Sequence, residues 1–230
     1  MNPPEPHVYL DSADLEVLRG VLPNPLVYGV TTNPTLMRRA GLAYADLPGF
    51  AAAVQGLGAR AVHLQVPCSS AEKTLEAGRE LAALGPPGFV VVKIPATREG
   101  FSGAAALVAE GVPVTMTAVY RPEQALWSQM VGAAYAAPYL GRLEDAGEDG
   151  LGLIGRMQRL LARYAGAHPT RLLVASVRTR EAVLALLELG VGALTLPPAL
   201  FTELTNDAET ARAAETFLED ARALMNAHDT

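Results

Sequence analysis

The sequence predicts a single (β/α)8 TIM barrel with an extra C-terminal helix. Three observations predict it. Short apolar or β-branched runs alternate with longer stretches of helical period, the alternation occurs eight times, and no low-complexity segment or linker divides the 230 residues. Strands alternating with helices form a parallel sheet, and eight such units in one chain close into a barrel of usual size about 250 residues. A doubly wound open sheet is the competing arrangement.

Taken in order, the first run (residues 7–10) precedes a helical stretch at 13–21, and the second (27–30) precedes 34–40 and 46–56. Pro34 sits in a first turn, where a missing N–H costs little. The run 61–66 leads to 71–84, with Ser70 at the N-cap and Ala71, Leu75, Leu81 and Leu84 at helical spacing. The run 89–94 precedes 99–109, which Gly111 closes, and 112–118 precedes 122–131, which Pro122 opens. The run 134–139 is followed by 150–165, and 172–175 by 179–189, where Thr179 and Glu181 mark the start and Gly190 the stop. The last strand, 193–196, leads to 198–204. Residues 1–206 are therefore expected to form the barrel domain, and 207–230 a C-terminal helix and tail. The segment 207–223 has amphipathic spacing (Ala211, Ala214, Phe217, Leu218, Ala221).

Composition bounds the function. Half of the residues are hydrophobic and 18% are charged, which supports a sizeable core and excludes a disordered chain. Eighteen basic residues against 24 acidic ones leave a net charge of −6, so a general nucleic-acid binder is not expected. The single cysteine, Cys68, excludes an internal disulfide and reads as a packed thiol. His7, His63, His168 and His228 are scattered without metal-ligand spacing, so neither a metal nor another cofactor is expected. GLGLIG at 150–155 follows no strand and is not a dinucleotide fingerprint. No stretch is long and apolar enough for a membrane span, and the first residues lack the pattern of a secretory signal; a cytoplasmic location is the expectation.

A barrel of this kind places its chemistry at the carboxyl ends of its strands. Those ends deliver Asp11; Thr31, Thr32 and Asn33; Gln65; Lys93; Thr117; Tyr139 with Arg142; and Ser176 with Arg178. Lys93 is the sharpest of them. Sixteen of the 18 basic residues are Arg, and Lys93 interrupts the apolar run FVVVKIP. Burial favours the neutral amine, the nucleophile that condenses with a ketone to a Schiff base. The alternative is a lysine ion-paired with a buried carboxylate such as Asp11. Asp11 itself reads as a proton carrier or as the N-cap of the helix near Ala13. Gln65 and Thr117 could position a water or a substrate hydroxyl, or satisfy backbone groups. Tyr139 could supply an O–H donor or be an aromatic at the barrel rim. Arg142, Ser176 and Arg178 suit a phosphate dianion, or are solvated loop residues.

The segments VYLDSAD, GVTTNPTLM, FVVVKIPAT, TMTAVY, APYLGR and VASVRT, in this order and spacing, resemble the transaldolase family. The likeness spans essentially the whole chain and is nearest to the short, fructose-6-phosphate aldolase-like members. It implies a metal-free class I mechanism with Lys93 as the Schiff-base lysine and Asp11 as the acid/base acting on the sugar hydroxyl. Asn33, beside Thr31, would bind a hydroxyl of the dihydroxyacetone unit, and Arg142, Ser176 and Arg178 the substrate phosphate. Transaldolases proper resemble one another in carrying Glu where this chain has Gln65 and Phe where it has Tyr139. Here Gln65, Thr117 and Tyr139 match the aldolase pattern, in which they hold a catalytic water and Tyr139 assists proton transfer. TMT at residues 115–117 departs from the more usual pattern, and Trp127 is unusual in its helix. The implied reaction is reversible cleavage of fructose 6-phosphate to dihydroxyacetone and glyceraldehyde 3-phosphate. The alternative is transfer of dihydroxyacetone to erythrose 4-phosphate, as in the pentose phosphate pathway. The resemblance also implies a homo-oligomer, a pentamer or decamer, in which the C-terminal helix reaches a neighbour.

Overall fold

Eight parallel strands pair in chain order and close on themselves: β1 (His7–Asp11), β2 (Gly29–Thr31), β3 (Ala61–Gln65), β4 (Val90–Pro95), β5 (Val114–Val119), β6 (Tyr135–Pro138), β7 (Arg171–Val174) and β8 (Ala193–Leu196). The computed structural model describes residues 5–67, 69–166 and 169–226; Cys68, His168 and His228 lie outside the described residues. The helices are α1 (Leu15–Arg19), α2 (Pro34–Arg39), α3 (Leu47–Gly56), α4 (Ala71–Ala82), α5 (Arg98–Ala109), α6 (Pro122–Met130), α7 (Leu140–Asp145), α8 (Gly150–Arg163), α9 (Arg180–Glu188), α10 (Pro198–Thr205) and α11 (Ala208–Asn226). A (β/α)8 barrel is the result, and the open sheet is excluded by the β1–β8 pairing.

Strand alternation divides the apolar residues into two cores. Leu10, Val30, Val62, Leu64, Val90, Val92 and Ile94 face the helices and join the larger one. Tyr9, Ala61, Val91, Tyr135, Ala137, Leu173 and Ala193 form the smaller one inside the barrel. In VVVKIP the alternation therefore turns Lys93 inward with Val91, while its neighbours pack under helices. Register then sets the level at which side chains meet: Asp11 lies beside Thr31, Gln65 beside Lys93, and Pro95 beside Thr117.

The structure departs from the sequence expectation at three points that bear on the site or its frame. The first helix is shorter than 13–21 because Asp14, not Asp11, is its N-cap, its carboxylate accepting from Glu16 N and Val17 N. A helix, α7, fills the segment after β6, where LGRLED is too short to show a period. Tertiary hydrogen bonds start it, with Leu140 N and Gly141 N donating to Ala175 O and Ser176 O. β5 bulges at Ala118, whose φ of +56° is left-handed. The C-terminal helix α11 buries none of its residues, and Phe217 on it is 69% exposed. Among the described residues no helix is long and apolar enough to cross a membrane.

Candidate active site

The carboxyl ends of the strands open into a cavity of about 350 Å³. Lys93, Asp11, Asn33, Tyr139, Arg142, Ser176 and Arg178 all line it. Lys93 is only 3% exposed, and its Nζ donates to the backbone carbonyl of Thr32 at 3.1 Å. Among the described residues no carboxylate comes within ion-pairing distance of that amine. The ion-pair alternative for Lys93 is thereby set aside.

Asp11 continues β1 into the cavity. Its Oδ1 accepts from Thr31 Oγ1 at 2.7 Å, and Thr31 Oγ1 in turn meets Thr195 Oγ1 at 2.6 Å. Burial raises the Asp11 pKa, while the charge of Lys93, the Thr31 hydroxyl and Arg142 pull it back without cancelling the rise. A carboxylate so placed is a stronger base than a solvated one. Thr31 thus touches Asp11 and is not itself in the cavity lining.

Asn33 is the N-cap of α2, its Oδ1 accepting from Thr35 N and Leu36 N at 3.0 Å each. The cap consumes the amide oxygen and leaves the NH2 group as the free donor. On the opposite side, Tyr139 Oη and Thr117 Oγ1 are 2.7 Å apart, and both side chains are buried. The guanidinium of Arg142 lies 4.7 Å from the centre of the Tyr139 ring and points a donor at Tyr120 Oη, 3.5 Å away. Gln65 is half-buried beside Lys93; neither it nor Thr117 lines the cavity, Thr117 being linked to it through Tyr139.

Ser176 has a φ of +59°, and among the described residues the other non-glycine with a left-handed backbone is Ala118, next to Thr117. Such strain collects at functional sites. Arg178 is held in a two-pronged pair with Asp145, at 2.7 and 2.6 Å, which the sequence reading did not anticipate. Gly141 makes that placement possible: a Cβ there would stand 2.6 Å from Arg178 Nε and 2.7 Å from Ser176 O. Sequence reasoning also missed the Thr32 carbonyl, Thr195 and Arg39, another residue of the cavity wall. Thr195 is an inward polar residue in an apolar run, a signal that could have been read; a backbone carbonyl leaves none. Among the described residues no cluster of His, Cys, Asp or Glu is placed to hold a metal ion.

A lysine amine, a basic carboxylate, a phenol and guanidinium groups around one cavity can form an imine, move a proton and hold an anion. Comparison with known proteins agrees with that chemistry. Relatives titled "Probable transaldolase" include one from a Caulobacter species, 36% identical over 213 residues, covering 93% of this chain and 95% of the relative. Another, from Methanococcus maripaludis, is 34% identical over 219 residues, covering 95% and 98%. Among solved structures, thiamine phosphate pyrophosphorylase from Pyrococcus furiosus superposes with a TM-score of 0.53 at 14% identity, covering 83% of this chain and 85% of that one. A flavocytochrome b2 gives 0.59 at 14% identity, covering 85% and 57%. These two likenesses concern the barrel alone. The sequence profile of the family described as "Transaldolase/Fructose-6-phosphate aldolase" matches residues 8–230, and the chain is an aldolase-type enzyme that belongs to this family.

Proposed function

We propose that the protein is a class I aldolase that reversibly cleaves fructose 6-phosphate to dihydroxyacetone and glyceraldehyde 3-phosphate. The observation that carries this reading is the buried Lys93 amine, which donates to the Thr32 carbonyl, forms no ion pair among the described residues and faces a cavity shared with Asp11 and Tyr139. The amine adds to the C2 ketone and water leaves, giving an iminium. The Asp11 carboxylate takes the proton of the C4 hydroxyl, the C3–C4 bond breaks, and its electron pair passes into the iminium to form an enamine. Glyceraldehyde 3-phosphate departs. Protonation of the enamine at C3, assisted by the Tyr139 phenol, and addition of water release dihydroxyacetone and the free amine. Asn33 serves the dihydroxyacetone hydroxyls beside Thr31 and Asp11, while Gln65 and Thr117 hold the water with Tyr139. Arg142, Ser176 and Arg178 take the phosphate.

The names of the relatives favour a second reading, transfer of the dihydroxyacetone unit to erythrose 4-phosphate. The two differ in what the enamine meets first, a proton or an aldehyde. The Tyr139 phenol hydrogen-bonded to Thr117 supports the proton. Assay with fructose 6-phosphate alone separates them: release of glyceraldehyde 3-phosphate without an acceptor is expected, and release only after an aldose phosphate is added would establish transfer. Borohydride reduction with dihydroxyacetone should leave an adduct on the Lys93 peptide, and its absence would remove the mechanism. A cytoplasmic enzyme assembled as a pentamer or decamer completes the proposal. Phe217, Leu218, Leu224 and Met225, all exposed on α11, support the assembly, which sedimentation of the intact chain tests.

A further inference from the structure

The α2 wall of the cavity, away from Arg142 and Arg178, contains a cation that forms no ion pair among the described residues. Thr35, Leu36 and Arg39 line the cavity together, and their spacing places them on one face of α2, directly after the Asn33 cap. Arg38, adjacent on the same helix, does not line it. Both arginines complement the carboxyl end of α2, so the helix alone gives no reason for one of them to enter the cavity. Arg39 is exposed, and among the described residues no carboxylate pairs with it.

Charge balance gives that arginine a task. A phosphate monoester carries about −1.5 to −2 charges at pH 7. Across the cavity, Asp145 offsets the charge of Arg178 through its two-pronged pair, which leaves Arg142 as the cation of that wall that forms no salt bridge among the described residues, with Asp11 acting on it only from a distance. One cation leaves such a dianion short by nearly one charge. We propose that Arg39 is a specificity-determining residue that supplies this charge from the α2 side, closing over the substrate phosphate and setting the preference for a phosphorylated substrate over the free sugar. The inference rests on the Schiff-base reading of the site.

The test measures addition of dihydroxyacetone to glyceraldehyde 3-phosphate and to glyceraldehyde in the wild type, Arg39→Gln and Arg38→Gln. Arg39→Gln should raise KM for the phosphorylated aldehyde about 10-fold, as expected for loss of one charge-assisted contact. Its kcat and its KM for glyceraldehyde should stay within about 2-fold, and Arg38→Gln should change neither KM by more than that. Equal effects of the two substitutions would mean a general field rather than a contact, and an unchanged KM ratio in Arg39→Gln would also overturn the proposal. Titration of each protein with glycerol 3-phosphate, which has no carbonyl, reads the same contact without turnover. Weaker binding in Arg39→Gln alone upholds the role of Arg39 even where the borohydride adduct on Lys93 fails to form, and equal binding in all three proteins rejects it.

Discussion

Polar side chains occupy both ends of the barrel interior. At the amino end, His7, Tyr9, Tyr28, His63 and Tyr135 pack on one another. Tyr9 Oη meets Tyr135 Oη at 2.8 Å, Tyr135 Oη meets His7 Nδ1 at 3.2 Å, and the His7 ring stacks on Tyr28 at 3.7 Å. His63 meets Thr115 through Nδ1 at 2.9 Å, and its other ring nitrogen is buried with no hydrogen-bond partner among the described residues. At the carboxyl end, Lys93 makes one hydrogen bond, the Asn33 amide keeps its NH2 free, and a cavity separates the two walls. One end packs its polar rings against one another; the other leaves the Lys93 amine and the Asn33 amide facing a cavity. Polarity inside a barrel marks a reactive site only where hydrogen-bonding capacity and space remain unspent.

The two ends also titrate in opposite senses. Burial lowers the His7 pKa to about 4, with Arg171 and Arg60 acting in the same direction and Glu5 against it; burial and then Lys93 and His7 hold His63 well below its ordinary value. The unfolded chain therefore binds protons that the native protein refuses, and stability falls as pH drops from about 6.5 toward 4. The raised Asp11 pKa works the other way. Its contribution to stability is full below the unfolded value and is lost as pH rises through the folded one.

The largest expected effect is at Lys93. Lys93→Arg should fold and lose at least about 10³-fold in turnover, because an always-charged guanidinium forms no imine; circular dichroism and steady-state kinetics check both halves. Asp11→Asn should lower kcat about 10²–10⁴-fold. It should also raise stability above the wild type at pH 7, an advantage that vanishes toward pH 3 as the native carboxyl protonates, and urea melts across that range would expose the wrong sign. At the amino end the balance reverses. Tyr9→Ala should cost about 3–5 kcal/mol of stability, whereas Tyr9→Phe should cost about 1 kcal/mol and leave kcat intact. A larger loss of kcat than of stability in Tyr9→Phe would break the division between the ends. At Gly141, alanine would press on both the Arg178 guanidinium and the Ser176 carbonyl oxygen; KM for the phosphorylated substrate should rise about 3- to 10-fold with little change in kcat, and stability should fall by about 1–3 kcal/mol.

Much of the site was legible because strand alternation is a local property. Lys93 in an apolar run, Asp11 at the end of VYLD and Tyr139 after AAP lie at strand ends, and a barrel gathers strand ends at one mouth. His7 and His63 looked scattered because their nearness depends on strands β1 and β3 closing around Tyr9, across 56 residues of chain. Arg39 lay in a helix and met no rule about strand ends. The partnership of Arg178 with Asp145 needed α7, a helix too short to show a period and started by hydrogen bonds from another strand–helix unit.

Periodicity, caps and the alternation of runs determined the eight-unit barrel, its two-sided strands and the inward turn of Lys93, since each depends on residues close in sequence. Tertiary closure alone decided which polar groups found partners. It left the Lys93 amine with a carbonyl instead of an acid, tied Asp11 to Thr31 and through it to Thr195, set Asp145 on Arg178 and, among the described residues, gave Arg39 no carboxylate. Hydrogen bonds and charge pairs between distant segments depend on distances of a few tenths of an ångström, which no pattern along one chain encodes.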